Sequence, residues 1–145
     1  MTDRSRVLHP TDFSAATDRA FERAVEAARL LHAELVLLHV VDPIAAFGAE
    51  AFPGRKPAAS RTADAEARRG FDRLLAAAKT AGVDASDVMV EGLPAEQIVE
   101  AARARGAAVI VMGTHGRTGI RQALGSVAQH VVATAPCPVL TVRME

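Results

Sequence analysis

The chain has 145 residues, half of them apolar, with neither Trp nor Tyr. Its 17 basic and 17 acidic side chains cancel to a formal charge of zero, which excludes the basic footprint a nucleic-acid binder needs. That length suits one domain with a single sizeable core. One cysteine, Cys137, rules out an internal disulfide framework and fits a reducing cytoplasm. Residues 1–6 lack the apolar core of a signal peptide, and no apolar run approaches membrane-spanning length. The expectation is a soluble cytoplasmic protein without a membrane partner.

The first predicted element is a short strand over Arg6, Val7, Leu8 and His9, closed by Pro10-Thr11-Asp12. Ser14 reads as the N-cap of a helix whose buried stripe is Ala20, Phe21, Ala24, Val25, Ala28 and Leu31. The run Leu35 to Val41 has the length of a buried strand. From Asp42 to Ser60 the spaced prolines and glycines predict a long loop, with one helical turn near 45–51. A second amphipathic helix carries Ala67, Phe71, Leu74, Leu75 and Ala78 and stops at Gly82. Val88-Met89-Val90 is a third strand. Gly92-Leu93-Pro94 then opens a helix with proline in its first turn, and Gly106 ends it. A fourth strand spans Val109 to Met112, a fourth helix runs from about Ser126 to Ala133, and a fifth strand covers Pro138 to Val142. Ser126 and Gln129 have capping-box spacing. No internal repeat or domain boundary is evident. Strands alternating with helices predict an α/β, Rossmann-like fold: an open, doubly wound parallel sheet with helices on both faces.

The segment richest in chemistry is Met112-Gly113-Thr114-His115-Gly116-Arg117-Thr118-Gly119, followed by Gly125-Ser126 at a helix start. A strand, a glycine-rich loop and a helix N-terminus together present backbone N–H groups to an anion. Glycine there permits positive φ and close approach of a ligand to the backbone. The same residues also serve a plain strand-to-helix connection, and Ser126 suits both a helix cap and a phosphate contact. His115 either shapes the turn or touches phosphate or metal. Arg117 and Arg121 either neutralise phosphate or are simply solvated. His39 reads as a strand-end histidine with a satisfied hydrogen bond, and Cys137 as packing. Phosphate-loop lysine, nucleophile-elbow, His-Glu-x-x-His and Cys-x-x-Cys signatures are absent. The only lysines are Lys56 and Lys79, so binding fits better than turnover, and no catalytic or metal-ligating residue is assigned.

These pieces resemble the universal stress protein family along essentially the whole chain. The carrying segments are Val7-Leu8-His9-Pro10-Thr11-Asp12-Phe13-Ser14, Leu38-His39-Val40-Val41, Glu91-Gly92-Leu93-Pro94, Val111 to Gly119, and Gly125-Ser126-Val127 with Ala135-Pro136-Cys137-Pro138-Val139-Leu140. The resemblance implies a five-stranded sheet in order 3-2-1-4-5 and a homodimer formed through the last strand. It also implies ATP, or another adenine nucleotide, lying across the strand ends with Mg²⁺, in a sensing or regulatory role. Pro10, Thr11, Asp12, Val40 and Met112 would then line the site, Asp12 meeting ribose and the Val40 backbone the adenine edge. Gly113, His115, Gly116, Arg117, Gly125, Ser126 and Val127 would surround the phosphates. Two departures stand out. The family's signature places nine residues between the second glycine and Gly-Ser, whereas eight separate Gly116 from Gly125. Ala108 stands where an acidic residue is common. The competing expectations are a dimeric interaction module that binds no nucleotide, and a slow ATPase.

Overall fold

The computed structural model describes residues 4–42, 58–115 and 124–143. The helical turn expected near 45–51, and Gly116, Arg117 and Arg121, lie outside the described residues.

Strand β1 (Arg6–Pro10) leads through a short 3₁₀ turn (Ala15–Thr17) into helix α1 (Asp18–Leu31) and strand β2 (Glu34–Val41). Helix α2 (Ala58–Thr80) then precedes β3 (Ala85–Glu91), α3 (Pro94–Arg105), β4 (Val109–Gly113), α4 (Ser126–Thr134) and β5 (Val139–Val142). The last three residues of the predicted loop are thus the first turn of α2. The strands form one sheet in the order β3-β2-β1-β4-β5, and all its pairings are parallel. The expected topology is the observed one.

Two cores lie on the two faces of this sheet, and the alternation of side chains along each strand assigns residues to them. Val7, Leu35, Leu37 and Val111 face α1 and α2, meeting Phe21, Ala24, Phe71 and Leu74. Leu8, Val36, Leu38, Ile110 and Met112 face α3 and α4, meeting Ile98, Ala102, Ala128 and Val131. Burial on both faces is why β1, β2 and β4 read as unbroken apolar runs. Leu31 departs from the predicted α1 stripe. It is 48% exposed, because α1 ends there and His32 turns left-handed (φ 52°) to return the chain to the sheet. Gly106 takes the equivalent left-handed cap of α3, its N–H bonding back to the Ala102 and Arg103 carbonyls.

Candidate functional site

Between β1 and β4 the winding reverses: β1 leads to β2 on one side, while β4 flanks β1 on the other. Connections therefore diverge above the strand ends and leave a crevice. A cleft of about 380 Å³ occupies that position, walled by the ends of β1, β2 and β4 and by the starts of α3 and α4.

The β1 wall is a hydrogen-bonded turn. Thr11 N–H donates to the Leu38 carbonyl (2.8 Å), carrying the ladder one residue beyond β1. Asp12 Oδ1 then accepts from Ser14 N–H (2.9 Å) and the Ser14 hydroxyl (2.5 Å). Ser14 therefore does not cap a helix with its own side chain as expected; its hydroxyl is directed to Asp12, whose carboxylate closes the turn. The Thr17 hydroxyl, buried behind the turn, donates to the Ser14 carbonyl (2.9 Å) and lies 3.2 Å from the Thr11 hydroxyl. Between them Phe13 is left-handed (φ 64°), its ring against Gly70 of α2, where an added Cβ would collide with it.

The opposite wall is the N-terminus of α4. Gly125 is the N-cap residue, with no side-chain cap. The first intrahelical bond runs from Gln129 N–H to the Gly125 carbonyl (2.9 Å). The N–H groups of Ser126, Val127 and Ala128 precede that bond and have no partner within the helix, and all three residues line the cleft. The helix dipole adds partial positive charge at the same place. The capping box expected of Ser126 and Gln129 does not form. The Gln129 side chain instead donates from Nε2 to the Leu124 carbonyl (2.6 Å), and Ser126 is the first helical residue rather than the cap.

The glycines work differently from the expectation of positive φ. Gly113 and Gly125 are not among the positive-φ residues; they are small because the backbone passes close by. A Cβ at Gly125 would sit 3.0 Å from the Thr114 carbonyl, and one at Gly113 would sit 3.3 Å from that of His115. The Gly125 N–H already donates to the Thr114 carbonyl (2.9 Å), which leaves the N–H groups without a helical partner at this wall to the three residues after it. His115 lines the cleft with Nδ1 3.1 Å from the Thr114 hydroxyl.

Two further histidines lie beneath the site. His39 is bonded as expected, Nδ1–H donating to the Thr11 carbonyl (2.9 Å), with its ring 4.7 Å from that of Phe13. His9 is wholly buried under the turn. Its Nδ1–H donates to the Val111 carbonyl (2.8 Å), while Nε2 has no partner. Burial pulls its pKa down to about 4, against the opposing pull of the Val111 carbonyl and the Asp12 charge, so the ring is neutral at pH 7. Cys137 packs at the edge of the α3/α4 core, and burial raises its thiol pKa, as befits a packing residue. Among the described residues no group of three or more His, Cys, Asp or Glu could hold a metal ion.

Residues 4–143 match the Universal stress protein family. The chain belongs to that family. Universal stress protein MJ0531 of Methanocaldococcus jannaschii is 37% identical over 141 residues, covering 95% of this chain and 81% of that protein. The solved structure of MJ0577 from the same organism superposes with a TM-score of 0.83 at 30% identity, over 97% of this chain and 96% of the other. A universal stress protein solved in complex with cAMP has the same fold (TM-score 0.74, 24% identity, 99% and 100% covered).

In this universal stress protein fold the cleft gathers Pro10, Thr11, Asp12, Val40, Met112, Gly113, His115, Gly125, Ser126 and Val127 from the sequence reading. Gly116 and Arg117 lie outside the described residues. Sequence reasoning missed Thr17, Leu38, His39, Thr114 and Ala128 as lining residues, together with Pro94 and Ile98 of α3. The last pair was findable: an i, i+4 step beginning at a helix N-terminus that follows a strand of the same sheet faces the strand ends. No described helix is long and apolar enough to cross a membrane.

Proposed function

We propose that this universal stress protein binds ATP or another adenine nucleotide in the cleft and acts by sensing or regulation rather than turnover. The observation that carries this reading is the uncapped N-terminus of α4, whose Ser126, Val127 and Ala128 N–H groups line the cleft opposite the Asp12 turn. Three N–H groups and a helix dipole favour a phosphate, and about 380 Å³ is within the range of small-ligand sites. Asp12 takes the ribose hydroxyls as an acceptor, and the Val40 backbone takes the base. Mg²⁺ enters with the nucleotide and is coordinated largely by its phosphates. Assembly is a cytoplasmic homodimer through β5, an edge strand that pairs only with β4 and leaves Leu140 46% exposed.

One observation favours the second reading, a dimeric interaction module without nucleotide: the Gly125 N–H is already bonded to Thr114. Thermal unfolding separates the two, run with millimolar Mg-ATP, AMP, GTP and Mg²⁺ alone. A ligand at about one hundred times its Kd stabilises by about 2.7 kcal/mol, which raises Tm by about 5–10 °C for a domain of this size. An adenine-specific rise supports the nucleotide site. No rise, in protein shown by mass analysis to carry no bound nucleotide, supports the interaction module.

A further inference from the structure

The backbone of β2 alternates in direction. Glu34 N–H donates to the Ser5 carbonyl and the Leu38 carbonyl accepts from Thr11, so even-numbered residues face β1. Leu35 N–H donates to Asp84 and the Val41 carbonyl accepts from Gly92, so odd-numbered residues face β3. Val40 therefore faces the β1 side, where β1 has already ended at Pro10. The next rung of the parallel ladder would run from Val40 N–H to the Thr11 carbonyl. That carbonyl instead accepts from His39 Nδ1–H at 2.9 Å, and no described residue accepts the Val40 N–H.

The His39 ring is fixed for this role. Phe13 lies 4.7 Å from it and Phe71 6.4 Å, edge-on. Phe13 is held in turn by its left-handed backbone and Gly70, and Phe71 by the Arg68 guanidinium 5.4 Å over its ring.

We infer that His39 is a positioning residue for base selection: by occupying the Thr11 carbonyl it keeps the Val40 N–H open to the cleft, beside the Val40 C=O, whose next ladder donor, the Phe13 N–H, is bonded to the Thr11 hydroxyl instead. This rests on the nucleotide reading of the cleft. A donor beside an acceptor matches the adenine edge, where ring nitrogen N1 accepts and the N6 amino group donates. Guanine offers the reverse, a donor at N1 and an acceptor at O6, and so meets Val40 with like against like. His39 selects the base through the Val40 backbone.

The test compares full-length wild type with His39→Phe, which keeps an aromatic ring and loses the donor, and His39→Asn, which keeps a short donor and loses the ring. Amide hydrogen exchange at Val40, read by NMR without ligand, is expected to be fast in wild type and His39→Asn. In His39→Phe it should slow at least about tenfold as the missing rung closes. AMP affinity should fall about tenfold in His39→Phe, the loss of about one net hydrogen bond. Inorganic triphosphate, the base-free probe, should bind all three proteins alike. Slow Val40 exchange in wild type overturns the inference whether or not the variants fold. Equal weakening of AMP and triphosphate in His39→Phe also overturns it. The exchange contrast in a wild type that binds no AMP upholds the diverted rung and defeats the nucleotide reading instead.

Discussion

Acid should destabilise this protein through one residue, His9, earlier than through its carboxylates. In the unfolded chain its imidazole gains a proton near pH 6.5; in the fold, burial between β1 and α1 delays that to about pH 4. Between those values the unfolded chain binds more protons than the native one, so stability rises with pH. The contribution is intact above pH 6.5 and is lost as pH falls through 4. At about 1.4 kcal/mol per pH unit, the window corresponds to about 3 kcal/mol, a large part of the stability of a domain this size. The cause is geometric. Nδ1–H is committed to the Val111 carbonyl, Nε2 has no partner, and the nearest ring is Phe21 at 5.9 Å, so a second ring proton would have no acceptor. The assay is urea unfolding of wild type and His9→Asn from pH 7.5 to 4. Subtracting the two removes the carboxylate titrations they share, together with the pH-independent packing loss of the variant. The wild-type advantage should shrink by about 3 kcal/mol between pH 7 and 4. A constant difference, or a native His9 resonance titrating near 6.5, would refute the reasoning.

Two substitutions test the walls of the cleft. In Gly125→Ala the new methyl meets the Thr114 carbonyl at 3.0 Å, so the backbone must move and the Gly125–Thr114 hydrogen bond must lengthen. The expected loss is about 1–3 kcal/mol, read as a lower Tm by calorimetry, with any Mg-ATP stabilisation reduced as α4 shifts. Gly70→Ala sets two magnitudes against each other. Alanine favours the helix by about 1 kcal/mol, but its methyl would sit within 3.0 Å of the Phe13 ring, and overpacking of that kind costs about 1–3 kcal/mol. A lower urea midpoint is expected, and a higher one would mean that the ring yields freely.

Strands β1, β2 and β4 were legible because they are buried on both faces and so stand out as apolar runs between glycine and proline signals; their order in the sheet came from the family resemblance. β3 was legible only at its centre. It is an edge strand with alternating exposure, and Ala85, Ser86 and Asp87 join it through pairing with Leu35, Val36 and Leu37, which local pattern does not encode. The cleft was legible as a set of segments, but not in its hydrogen bonds. Ser126 and Gln129 have the spacing of a capping box, yet that spacing equally lets Gln129 reach Leu124. Gly113 and Gly125 look the same in sequence whether φ or crowding demands them, and the crowding comes from Thr114 and His115 folding back. Thr17 and His39 were missed as lining residues because contacts across the turn and between strands decide their place.

The left-handed Phe13 has a consequence for affinity as well as for packing. With its ring seated on Gly70 and its N–H on the Thr11 hydroxyl (2.9 Å), the turn that carries Asp12 cannot relax to a right-handed conformation without lifting that ring from α2. The entropy of ordering this wall is therefore lost when the chain folds, so the nucleotide proposed for the cleft would meet a carboxylate already in place.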